Sequence, residues 1–186
     1  MTNKILPILL LFFCFSCSPK LDMETYKKYQ NSGQEITANV QAVLLTNVGK
    51  AIQTGGPEYA VEFCNLEASS IVDSLNGAFG CDISRVSAKN RNPQNALRTE
   101  QEKQMWELFA NEQLADTVLQ NGSDLVYYKQ ITTAMPACLK CHGNPETDIN
   151  EATKTKLNDL YPNDLATGYT LNEFRGLWKV KFKRDL

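Results

Sequence analysis

Apolar residues at Ile36, Val40, Val43/Leu44, Val48 and Ala51/Ile52 recur every three to four positions, which predicts an amphipathic helix. Gly55-Gly56 stops it, and Pro57 suits the first turn of a second helix. That helix carries the stripe Ala60, Cys64, Ala68, Ile71 and Leu75 and closes at Asn76-Gly77. Cys81 to Ala88 alternates loosely, as a strand does, and Lys89 to Arg98 reads as a loop around Asn92-Pro93 and Asn95. Thr99 followed by Glu102 makes a capping box for a third helix, through Trp106 and Phe109 to about Leu119. Leu125 to Thr132 is the strongest strand pattern in the chain. Lys154 to Leu160 predicts a short helix before the Pro162 turn, and Gly176 to Lys183 alternates as a closing strand. Long N-terminal helices followed by mixed strands and helices predict an α+β fold with an antiparallel sheet.

The first residues read as an address. Lys4 precedes the apolar run Ile5–Phe15, which ends at Ser16-Cys17, the pattern of a secretory signal before a lipid-modified cysteine. The run is too short for an ordinary transmembrane helix. Cys14 three positions before Cys17 departs from the usual leucine, and plain secretion or an uncleaved anchor are the competing readings. The expected organisation is a signal peptide over 1–16, lipidation at Cys17, a polar tether over 17–35 and one domain over 36–186. Such a protein is exported and lipid-anchored to a bacterial membrane, facing the periplasm or the cell exterior.

Composition narrows the chemistry. At 42% hydrophobic and 22% charged, the chain has the means to bury a core. With 19 basic against 21 acidic residues there is no electrostatic reason to expect nucleic acid. The length suits one domain and leaves no room for a kinase or cyclase output unit, so any signal passes to a separate redox or signalling partner at the membrane. Six cysteines stand beside a single histidine, which excludes a histidine-rich metal site and leaves no histidine for a catalytic triad if that one is committed elsewhere.

The histidine falls in Cys138-Leu139-Lys140-Cys141-His142. Two thiols separated by two residues match the vinyl groups of a haem, and the next residue can bring its imidazole to the iron. The segment therefore predicts one covalently attached c-type haem. A four-sulfur zinc site built with Cys64 and Cys81 competes but leaves His142 without a role. A thiol–disulfide oxidoreductase using Cys138 and Cys141 is the alternative function, although this CxxC lies late in the chain, in a loop after Pro136. No second histidine exists to complete the iron's coordination. Met105 is a candidate, as is Cys64, flanked one turn away on each side by small residues that let a flat cofactor approach. Cys64 reads equally well as an iron ligand, a buried core residue or the partner of Cys81 in a disulfide.

Several segments together resemble a bacterial family of c-type haem domains with a PAS-like fold. They are Glu62-Phe-Cys64, Arg85-Val-Ser87-Ala-Lys89-Asn-Arg91-Asn92-Pro93-Gln-Asn95, the CLKCH motif and Tyr161-Pro162…Gly168-Tyr169…Arg175-Gly176. The resemblance covers roughly residues 36–182. Members occur as stand-alone exported proteins and as the extracytoplasmic sensor region of histidine kinases and diguanylate cyclases. The resemblance implies Cys138 and Cys141 as thioether anchors, His142 as proximal ligand and Cys64 as distal ligand. Arg85 and Arg91 come first among candidates for the haem propionates, with Lys89, Arg98 and Arg175 behind them. Two filled axial positions argue against an oxygenase or peroxidase. The expectation is a redox or gas sensor or a low-potential electron carrier, and no catalytic residue.

Overall fold

Of the polar stretch expected to tether the domain, residues 23–35 are helical in the computed structural model, which describes residues 21–112 and 114–183. The signal segment and Cys17 lie outside the described residues. Helix α1 spans Met23–Leu66, capped by the Asp22 carboxylate, which accepts the Thr25 N–H at 2.9 Å. Its first turns are part of the domain: Leu21, Tyr26 and Tyr29 pack against the core, and Gly33 is buried. The polar residues of this stretch are also engaged. Gln30 and Gln34 donate from successive turns of one face to the Asp116 carboxylate at 2.6 and 2.8 Å.

The expected stop at Gly55-Gly56 is a kink within α1. Gly56 adopts φ 77°, a conformation open to glycine, and Pro57 restarts the helix. The predicted second helix is split at Glu67, and α2 (Ala68–Phe79) runs past Asn76-Gly77 to a left-handed Gly80. The capping box holds: Glu102 N–H donates to Thr99 Oγ1, and Glu102 Oε2 accepts the Thr99 N–H, opening α3 (Glu100–Glu112). That helix ends earlier than predicted. Residues 116–121 leave it for strand β2 (Asp116–Asn121), which the sequence pattern did not predict. Its pairing with the next strand overrides a weak helical periodicity.

The remaining elements are β1 (Cys81–Val86), β3 (Asp124–Thr132), α4 (Pro136–His142), α5 (Glu151–Leu160) and β4 (Phe174–Phe182). The four strands form one sheet in the order β1-β4-β3-β2, every ladder antiparallel. This is the predicted α+β class. Both faces are covered, so Leu125, Val126, Tyr127 and Tyr128 are buried in succession instead of alternating. One face packs with α1 and α2 through Val40, Val72, Tyr127 and Trp178; the other packs with α3 through Met105, Phe109, Val126 and Tyr128. A third cluster, Val61, Ile149, Leu157 and Tyr161, joins the second half of α1 to α5, with Cys141 packed against it. No described helix is long and apolar enough to cross a membrane.

Gly33 sets how closely α1 lies on the sheet. A Cβ there would fall 2.2 Å from Cγ of the fully buried Tyr127 ring. Gly33→Ala should therefore destabilise the fold by about 1–3 kcal/mol through overpacking, outweighing the roughly 1 kcal/mol gained in helix propensity. Thermal melts would show a lower midpoint; a raised midpoint would mean that α1 rides freely over Tyr127.

Candidate functional site

The attachment motif is helical, where a loop was expected. Pro136 occupies the first turn of α4, and the short helix carries Cys138, Cys141 and His142 in 1.9 turns or so. These three side chains border a cavity of about 320 Å³, in the size range of small-molecule sites. Cys64 lines the same cavity from α1, with Ala60 one turn before it and Ala68 at the start of α2. Leu44, Val48 and Gly49 contribute from the first half of α1, and Trp178 closes the sheet side. A Cβ on Gly49 would meet nothing within 4 Å, so the helix leaves open space toward the cavity there.

His142 is held as a neutral ring with one nitrogen spoken for. Its Nδ1 lies 2.7 Å from the carbonyl oxygen of Ala166. A carbonyl can only accept, so Nδ1 carries the proton and Nε2 keeps its lone pair. Burial, reinforced by the Arg91 and Arg175 charges, holds the imidazole well below its ordinary pKa. This is the state in which histidine binds a metal.

The thiols are tuned by the same surroundings. Burial pushes Cys64 up, while the Arg85 and Arg91 guanidinium groups pull it down. Burial carries Cys141 to about 11, against the pull of Arg91, with Cys64, Cys138 and Glu58 nearby adding to the rise. Its Sγ lies 4.0 Å from the Pro57 carbonyl, just beyond the Gly55-Gly56 kink.

Three arginines border the cavity, and they are placed differently. Arg91 Nε donates to Asp164 Oδ2 at 2.9 Å. Arg175 donates from one terminal nitrogen to Ser87 Oγ and the Lys89 carbonyl, while its buried Nε has no partner among the described residues. Arg85 has the Trp178 ring at 5.8 Å and, among the described residues, no carboxylate. Burial depresses the pKa of both Arg85 and Arg175. The cavity thus holds an excess of buried positive charge, which suits an anionic guest.

The loop that carries Arg91 is built by its small polar residues. Ser87 Oγ donates to the Arg175 carbonyl and accepts the Lys89 N–H, and Asn92 caps the 3-10 turn Pro93–Asn95. Arg98 is absent from the cavity wall, whereas Asn90, Asn92 and Asn95 belong to it.

Two candidates are placed elsewhere. Met105 is packed between α3 and the sheet with Phe109 and Leu177, away from the cavity. Cys81 lies at the edge of the other core cluster, paired in register with Phe182, and is 1% exposed. Both Cys81 and Cys64 are free thiols, and Cys81 serves as a small apolar filler. Among the described residues no three His, Cys, Asp or Glu side chains converge closely enough to hold a bare metal ion. The zinc arrangement therefore does not form. Cys64 and the CxxCH residues face a shared space wide enough for a cofactor. Sequence reasoning missed Asp164 and the Ala166 carbonyl, because a backbone acceptor leaves no side-chain signature.

The crystal structure of the cyanobacterial heme-protein Tll0287 is similar to this chain with a TM-score of 0.62 at 20% identity, covering 88% of this chain and 98% of that one. At that identity the likeness establishes the fold. A search of curated proteins finds no match. The Tll0287-like family model matches residues 20–182, from within the stretch expected as a tether to the end of β4. By that span, and as the arginine–asparagine loop and CLKCH motif led us to expect, the chain belongs to the Tll0287-like family.

Proposed function

We propose that this chain is a membrane-anchored c-type haem protein with one covalently bound haem, acting as a redox or gas sensor or as a low-potential electron carrier. One observation carries the reading: the only histidine, the CxxC pair and a helix cysteine border a single cavity rich in buried positive charge. The similar cyanobacterial protein is described as a heme-protein, which agrees. Cys138 and Cys141 would hold the haem by thioether bonds, with His142 Nε2 and Cys64 Sγ as its axial donors. Arg85 and Arg175 have uncommitted donors for two carboxylates; Arg91 lines the same wall but is already paired with Asp164. The haem supplies one-electron exchange at iron, and a thiolate donor favours the ferric state. Cys17 would carry the lipid, and the partner would be a separate protein at the membrane.

The thiol–disulfide alternative gains nothing from the geometry. The sheet is wholly antiparallel, without the βαβ unit on which such a motif is expected.

Expressed with haem-attachment machinery, the protein should be red, with haem that resists acid-acetone extraction. Cys138→Ala/Cys141→Ala should make any bound haem extractable; a colourless wild type that cycles a dithiol would sink the proposal. Cys64→Ser should convert a low-spin ferric spectrum to high-spin or to a different sixth ligand and raise the midpoint potential. An unchanged ferric spectrum would remove Cys64 from the iron.

A further inference from the structure

Arg91 was expected at the haem carboxylates, yet its Nε and one of its terminal nitrogens are engaged by the protein. Besides Asp164, it donates from one terminal nitrogen to the carbonyls of Cys141 and Ala166. The pair is well sequestered, with side chains 11% and 10% exposed. The other oxygen of Asp164 accepts the Ala166 N–H at 2.8 Å. Ala166 is therefore held from both sides, its N–H by Asp164 and its carbonyl by Arg91. That same carbonyl accepts from His142 Nδ1.

The loop is sewn to α4 at further points. Tyr169 N–H donates to the His142 carbonyl at 2.9 Å, and Gly168 N–H to the Gly143 carbonyl at 2.8 Å. Leu165 N–H reaches the Asn90 carbonyl at 3.1 Å, tying it to the loop that carries Arg91. The acceptor orienting the histidine thus sits on irregular backbone, and one buried ion pair fixes where that backbone lies.

We propose that Arg91 and Asp164 are positioning residues for the proximal ligand: through Ala166 they set the ring plane and the Nδ1–H tautomer of His142. This rests on the haem reading, and it gives the arginine of the Arg-Asn-Pro segment a different task from Arg85 and Arg175. Lysine in place of Arg91 keeps the charge but cannot supply the planar fork that reaches Asp164, Cys141 and Ala166 together. Asparagine in place of Asp164 keeps an acceptor but removes the ion pair. Removing either charge leaves its partner buried and alone, so Arg91→Met can fail to fold, and the milder variants carry the test.

The experiment compares haem-loaded wild type, Arg91→Lys and Asp164→Asn by ferric electron paramagnetic resonance, midpoint potential and ¹⁵N spectra of the His142 ring, beside melting temperature. Both variants should keep their haem, shift the g-values and potential in common, and replace a single Nδ1–H signal by a tautomer mixture. Lower melting temperatures with wild-type g-values, potential and ring signals would overturn the proposal and leave the pair a purely structural brace. A change in Arg91→Lys with none in Asp164→Asn would also overturn it and return Arg91 to the haem carboxylates. If the wild type carries no haem, the functional reading fails, and the ring signals of the same full-length chains still decide the tautomer claim.

Discussion

Three arginines, Arg85, Arg91 and Arg175, border one cavity, and Asp164 is the one carboxylate paired with any of them among the described residues. Burying a cation without a partner costs several kcal/mol or more, roughly, so such an arrangement is stable only when something anionic completes it. This imbalance governs the rest of the site. It helps to keep His142 neutral and opposes the effect of burial on Cys64. The loop between β1 and the 3-10 turn supports this arrangement: Ser87 Oγ accepts from Arg175, while Asn90 and Asn92 spend their side-chain hydrogen bonds on the loop's own backbone. In the proposed haem-bound state a Cys64 thiolate and the two haem carboxylates would supply negative charge there.

The fold serves that cavity by bringing distant pieces of chain together. Cys64 arrives on α1, which is brought against the sheet by the Gly33–Tyr127 contact and redirected by the glycine kink. Arg85 and Arg175 come from β1 and β4, neighbours in the sheet although far apart in sequence. The CxxCH helix is held by the 161–169 loop and by Arg91, which bonds both the helix and that loop. The site therefore depends on tertiary closure far more than on any local motif, and likeness of fold at 20% identity is compatible with that.

Much of this was legible in the residues. The lone histidine behind CxxC, and Cys64 between two alanines, pointed to the elements that meet at the cavity. The capping box of α3 and the strands β1, β3 and β4 followed from local pattern. What escaped has physical reasons. The buried face of the first turns of α1 is carried by Tyr26, Tyr29 and Gly33, a stripe that two tyrosines and a glycine mark only faintly, while Gln30 and Gln34 bond Asp116 across to β2. Strand β2 exists through its pairing with β3 and has little alternation of its own. Arg91 was visible as a residue, but its partner lies 73 positions away, and the carbonyl that both serve belongs to an alanine.

The central claim is that one haem is covalently held through Cys138 and Cys141. Intact mass spectrometry of the exported protein under denaturing conditions tests it most directly. The account predicts a mature chain heavier by one haem, with the added mass lost in Cys138→Ala/Cys141→Ala. A wild-type chain at its bare mass, or lighter by the two hydrogens of a Cys138–Cys141 disulfide, would contradict it.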